Sequence, residues 1–481
     1  MKKLFELTTK DFLSGVSEVS HGLRGLFFSA TGVSPLINPR RSSNDFGLLQ
    51  TSAAPVDMTG AVVVDVPRVW VSEATAANTG YLYIFGNAGN FYVVDLSDNT
   101  ITNERSGANK ITNPANGMVI YGNTNLFYAQ TTQIGMCTET GTKPFDTSSG
   151  WDNDWSGANK LNDSVYHPMY PFGGRIFVGD DNELHDISGG INPVFTQNVM
   201  TSLEADYRIL CFSDDGFNLV IGVTQNLGDV SIMGRSKVCF WNTFDDYYSK
   251  EWFIPEPHIS SIKKMGGWNY AITSGGIYKF SYGSPPVKVV EGVDCLYGQH
   301  AACDVLEGTQ LLVGRRTNYI SSYGSPLPGY PKAVFNPFTG WAAAQGVHLL
   351  ATTAKRGTIY FGTNDSKLYR QDVVTGGATG LSATTNFISL REKTKIEQIK
   401  IILGTDLASG DSLRVDINSD SGDAPTVFGT ASFADHGAVR RITLHSTFDV
   451  EDVQLKFNFN AGNVKIKRVE VFGTPYKQAL K

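Results

Sequence analysis

The sequence predicts an all-β protein, a β-propeller of about seven blades followed by a C-terminal β-sandwich or jelly roll. Three observations predict it. A glycine-led hairpin pattern is spelled seven times between residues 80 and 372, the segments beyond 381 alternate apolar and polar residues, and the composition suits strands and turns. Fifty Gly, 28 Phe and 20 Tyr with only 18% charged residues favour short strands over helices.

The clearest copy of the repeat is GTIYFGTNDSKLYRQD at 357–372. A β-branched and aromatic run ends at Gly362, a polar turn follows at 363–365, and a second run carries Leu368 and Tyr369. Gly and Asn/Asp reach positive φ at little steric cost, so such a turn between two β-prone runs predicts an antiparallel hairpin. Comparable hairpins begin at Gly80, Gly117, Gly174, Gly216, Gly267 and Gly308, and the intervals from Gly80 to Gly357 average about 46 residues, a period expected of propeller blades or arrays. SYGSP occurs at Ser281 and Ser322 in the same register to its leading Gly and is read as a blade-to-blade turn. One hairpin is unstable alone in water, so the copies are expected to shelter one another.

Residues 1–60 are expected to form an extended arm. A short helix fits 11–23 only weakly, because Gly15 and Gly22 interrupt it. Leu26-Phe27-Phe28 need burial, against a neighbouring molecule or against the chain's own propeller. Residues 61–375 are expected to be the propeller, with Pro67 at an edge or break, although the strand that closes the ring is not evident. A Gly/Ser/Thr stretch at 375–385 predicts a linker, and 376–481 a sandwich. In 453–459 the apolar residues Val453, Leu455, Phe457 and Phe459 alternate with Gln454, Lys456 and Asn458, which are expected to face water.

Charge and cysteine usage narrow the class. A net charge of −6 argues against gripping nucleic acid through a broad basic surface. Five dispersed cysteines do not form a disulfide framework and fit a reducing compartment. No apolar run approaches a membrane span, and no signal-peptide core follows Lys2-Lys3. The expectation is a protein made in a cytosol.

Motifs for chemistry are sparse. GxSxG, GxGxxG, P-loop and HExxH patterns are absent, and no enzyme is expected. Cys295, His300 and Cys303 offer soft ligands but lack the tight CxxC pairing of a structural zinc site; buried thiols explain the same letters. Asp416, Asn418, Asp420 and Asp423 place oxygen ligands at near-alternate positions, as in a calcium loop. No Glu closes that loop, and an acidic hairpin turn is the alternative. Trp151 and Trp155 flank Asp-Asn-Asp, and Trp241 and Trp252 bracket Phe244, Asp245, Asp246, Tyr247 and Tyr248. Aromatic faces beside carboxylates suit sugar binding, and paired acids suit glycoside cleavage; packing between sheets is the simpler expectation. No cofactor is expected.

The domain order, with GNFYVVD at 89–95, the 357–372 hairpin and TNFISLREKTKIEQIKIIL at 385–403, resembles the structural propeller proteins of tailed-bacteriophage virions, of nozzle or hub type in the tail or neck. The resemblance implies a virion component that forms a homo-oligomeric ring, contacts other virion proteins and is made in the host cytoplasm. It also implies passing DNA that slides through a weakly acidic lumen without being held. It carries no catalytic residues. The competing readings are a carbohydrate-binding or carbohydrate-cleaving propeller used in host attachment, and a cellular propeller scaffold for protein partners.

Overall fold

The computed structural model describes residues 1–12, 27–31, 33–34, 48–51, 56–58, 67–74, 80–86, 88–105, 110–121, 125–138, 145, 150–190, 192–225, 235–273, 275–291, 303–306, 310–314, 319–324, 336–342, 347–352, 358–363, 367–372, 380–419 and 425–476. The chain forms two compact units, one of residues 57–318 with 344–370, the other of residues 1–56, 319–343 and 371–481. The first is the propeller; the second is the sandwich, with the N-terminal segment and the 319–343 hairpin grouped into it. Among the described residues no helix is long and apolar enough to cross a membrane.

In the propeller unit, successive antiparallel sheets begin in chain order at Pro67, Pro114, Met169, Tyr207, Ile259, Cys303 and Val347. Six of them are four-stranded meanders of consecutive strands. Their strands bury both faces. In Leu219–Gln225, the residues Leu219, Ile221 and Val223 pack toward the third sheet, with Phe177 and Leu184, whereas Val220 packs toward the fifth, with Ile262 and Phe280. Successive side chains point to opposite faces, so a strand covered on both sides reads as a continuous apolar run, here LVIGV.

The repeated glycine at the end of that run has a packing cause. A Cβ on Gly222 would lie 2.6 Å from Cys211 Sγ and 2.9 Å from Ile262 Cδ1, and one on Gly179 would lie 2.7 Å from Ile209 Cγ2. At Gly179 the adjacent blade fills the space of a Cβ, and at Gly222 the paired strand of its own sheet does so together with the next blade.

The closing strand is Val56–Asp57, which completes the last sheet beside Leu368–Asp372. Met58 N–H donates to Leu368 O at 2.8 Å. Tyr360 and Leu368 of that sheet share one core with Leu82, Ile84, Tyr92 and Val94 of the first, and Tyr360 Oη donates to Asn99 Oδ1 at 2.6 Å. A segment from before the first blade thus locks the last.

Two expectations are corrected. The Gly174, Gly216 and Gly267 copies are the second and third strands of their sheets, but Gly117 lies within the first strand of its own, Pro114–Tyr121. Both hairpins of that blade carry glycine-punctuated apolar runs, so the pattern slipped by one strand. The first SYGSP is a turn inside a blade, with Ser281 paired to Ser284, because two residues suffice to join adjacent strands. Gly308 and Gly357 lie outside the described residues.

The sandwich has two layers that share one long strand, Arg441–Ala461. Its first half pairs with Ile388–Leu403, which continues through Ile466–Pro475 to Lys2–Thr8. Its second half pairs on one side with Leu381–Thr385 and then Phe27–Thr31. On the other side it pairs with Ser412–Ser419 and then Thr426–Ser432. A strand that bends from one layer to the other makes the corner of such a fold. The layers meet where Leu444 Cβ would stand 3.2 Å from a Cβ on Gly429.

The N-terminal segment differs from the extended arm expected to reach a neighbour. Lys2–Thr8 is an edge strand here, and Phe12 and Phe27 are fully buried with ring centroids 6.2 Å apart. Phe12 and Phe27 find burial within the chain's own sandwich core. Thr8 N–H and Oγ both donate to Asp11 Oδ2 at 2.8 Å, which starts a single turn over Thr9–Phe12; 13–23 lie outside the described residues. Gln454 and Asn458 are also not water-facing, being 8% and 9% exposed.

We expect Gly222→Ala to cost about 1–3 kcal/mol by overpacking the interface of the fourth and fifth blades. Gly283→Ala, in a turn with nothing within 4 Å of a Cβ, should be near neutral. Urea unfolding of both variants checks the contrast.

Candidate functional site

The four tryptophans weighed as sugar-stacking faces pack between sheets, the simpler of the two expectations, and are not brought together. Each lies in a different interblade layer. Trp151 packs on Phe91 and Tyr128 with ring centroids 5.0 and 5.4 Å away, between the first and second sheets. Trp155 packs on Phe127 between the second and third. Trp241, 1% exposed, packs on Phe177 between the third and fourth, and its Nε1–H donates to Asp245 O at 2.7 Å. Trp252 lies against the fourth–fifth core beneath Lys250, whose Nζ is 4.4 Å from its ring centroid. Trp151, Trp241 and Trp252 lie on strands and Trp155 in a turn, and all four rings pack between sheets rather than toward one another.

The calcium ligands also fare differently from their spacing. Asp416 is buried at 3% and faces Arg414, Nε to Oδ1 at 2.9 Å, while Asn458 Nδ2–H donates to its Oδ2 at 2.8 Å. Its charge is already compensated. Asn418 donates to Gln454 Oε1 at 3.5 Å. Asp420 and Asp423 lie outside the described residues, as do Cys295 and His300. Cys303 is buried and not in a disulfide, as are Cys137, Cys211 and Cys239; burial pushes the Cys211 thiol up to about 12.

The structure adds a cluster the sequence reading missed. Asp180, Glu183 and His185 bring ligand atoms within 4.8 Å of one another. Asp180 is 2% exposed and accepts Asn162 N–H at 2.9 Å, with His185 Nε2 at 3.2 Å and His167 Nδ1 at 3.4 Å. His185 Nδ1 accepts Asn198 N–H at 3.0 Å, so Nε2 carries the proton that points to Asp180. With both imidazole nitrogens and both carboxylate oxygens engaged, the cluster is a hydrogen-bonded brace joining the second blade's exit loop to the third blade. GDDNELHD at 179–186 carried the signal, a turn Asp five residues before a His.

A surface remains. The turn 215–218 and the loop 242–249 leave the same end of the fourth sheet, because Asp214 pairs with Leu219 and Leu219 with Trp241. Their roots stand two strand spacings apart, roughly 10 Å. From them project Phe217, Phe244 and Tyr247, which are 86%, 89% and 65% exposed. Both loops are rigidly founded. Asp215 Oδ1 accepts Phe217 and Asn218 N–H, and Asn242 Oδ1 accepts Phe244 and Asp245 N–H, the Asx-turn geometry that suits SDDGFN and WNTFDD. Arg175 donates to Thr243 O at 2.8 Å and Thr201 N–H to Asp246 O at 2.9 Å.

Asp214, at the root of the first turn, ties three blades. It accepts Tyr170 Oη at 2.7 Å and Lys264 Nζ at 2.6 Å, and its carbonyl accepts Asn269 Nδ2–H at 3.2 Å. Burial alone would raise its carboxyl, but the bonds from Lys264 and Tyr170 outweigh it and hold the group below the ordinary carboxylate value.

Comparison with known proteins returns no matching family and no matching curated protein. Among solved structures, the Pan2 WD40 domain of Neurospora crassa superposes with a TM-score of 0.44 at 9% identity, over 68% of this chain and 96% of that one. BBS1N in complex with ARL6DN gives 0.42 at 10% identity, over 67% and 96%.

The stabilising contribution of a depressed carboxyl is present above its unfolded value, near 3.9, and is lost as pH falls through the lower folded value. Asp214→Asn should therefore lower stability at neutral pH and flatten the acid limb of the stability–pH curve. Urea midpoints measured between pH 2 and 7 check this.

Proposed function

We propose that the chain is a non-enzymatic propeller scaffold that binds a protein partner through the aromatic loops of its fourth blade. The observation that carries the reading is the exposure of Phe217, Phe244 and Tyr247 on two loops braced by hydrogen bonds. Large aromatics held in water on a rigid support mark interaction surfaces, and aromatic anchors dominate protein–protein hot spots. Small-molecule sites are concave and bury most of their ligand, which suits neither these loop tips nor tryptophans spread over four interblade layers.

The test is panning of a yeast-displayed library of random 12-residue peptides against the full chain. Wild type should enrich binders, and Phe217→Ala/Phe244→Ala should lose them with unchanged melting temperature. An equal outcome for both proteins, or no enrichment on either, overturns the reading.

The narrower setting, a homo-oligomeric ring in a tailed-phage particle, is a further proposal. It rests on the resemblance in domain order alone. Size measurement of the purified chain should then give a ring, and mixing with particles lacking this component should give incorporation. A monomer that is not incorporated would rule out that setting and leave the scaffold reading standing.

A further inference from the structure

The partner's chemistry can be narrowed from the charges around the same loops, an argument that rests on the scaffold reading above. Three carboxylates stand among the exposed rings, those of Asp215, Asp245 and Asp246. None of them has an ion-pair partner among the described residues. The cations nearby are already committed. Lys264 is paired with Asp214 at 2.6 Å, Arg175 with Asp186 at 2.8 Å, and Lys237 with Glu204 and Glu251 at 2.8 and 3.0 Å. Lys250 lies over Trp252 and Tyr282, 4.4 and 4.9 Å from their ring centroids.

Lys250 is the one of these cations with no carboxylate beside it among the described residues, and against it the three carboxylates leave the surface net negative. We infer that the fourth-blade loops dock a peptide segment of the partner in which Lys or Arg alternates with apolar side chains, the apolar residues covering Phe217, Phe244 and Tyr247 and the cations meeting Asp215, Asp245 and Asp246. Both kinds of contact suit a basic segment. A cation beside an exposed ring is attracted by the ring face as well as by a carboxylate, and complementary charge accelerates encounter and excludes acidic competitors. A second copy of this chain is the poorer occupant, since its net charge of −6 opposes the same surface.

Three fluorescein-labelled 12-residue peptides test this by anisotropy with the full chain, alternating Lys/Phe, Ser/Phe and Glu/Phe. The Lys/Phe peptide should bind about fivefold more tightly than Ser/Phe, the scale of a few exposed ion pairs, and Glu/Phe more weakly than both. The preference should fade between 50 and 500 mM salt, because exposed pairs are screened. Asp245→Asn/Asp246→Asn should bring Lys/Phe down to the Ser/Phe value. Asp215 is left intact because it holds its turn. Asp245→Lys/Asp246→Lys should reverse the order of the peptides, and this second variant guards against a purely structural loss.

Equal binding of the three peptides to wild type, with all lost in Phe217→Ala/Phe244→Ala, would overturn the basic partner while sparing the aromatic surface. Glycan-array binding, or self-association, abolished by the same aromatic substitutions would also overturn it.

Discussion

The propeller depends on one constraint: each small sheet has two apolar faces and no means of covering either by itself. Neighbouring blades supply the cover, so Leu219, Ile221 and Val223 belong to one interface and Val220 to the next, within a single strand. Removal of apolar surface from water stabilises by about 25 cal/mol per Å², and it is gained here only when the series of sheets closes. Val56–Met58 and the Tyr360–Asn99 bond join its two ends. Gly179 follows from the same closeness, as a place where Ile209 of the next blade occupies the space of a Cβ.

That constraint also decides how the described tryptophans and buried acids are used. Residues with the richest functional vocabulary, tryptophans and buried acids, are consumed by the interfaces. Trp151, Trp155, Trp241 and Trp252 fill four successive layers. Asp180 and Asp214 spend their carboxylates on joining blades, with His185 and His167 as partners in one case and Tyr170 and Lys264 in the other. What is left for a partner lies at loop tips, where Phe217 and Phe244 face solvent while Tyr248 of the second loop packs on the core.

The sandwich solves the same burial problem differently. One 21-residue strand, Arg441–Ala461, serves both layers and brings Leu413, Val415 and Ile417 over the same core as Ile399 and Ile401. Its other side is also little exposed at Gln454 and Asn458, and Asn458, Asp416 and Arg414 form a compensated polar row there. An alternating strand in the sequence specifies that one face is apolar. It does not specify that the other is wet.

The sequence by itself determined the all-β architecture, the repeat and its period, because strand alternation and turn-forming Gly, Asn and Asp act over a few residues. Only the tertiary structure decided the partner of each strand. The closing strand at 56–58 pairs with residues about 310 positions later in the chain, and Phe27 finds its pocket against Leu381–Thr385. The sequence reading chose Trp241 and Trp252 for their rings and passed over Phe217. Exposure is a property of what surrounds a side chain, and long-range pairing sets those surroundings.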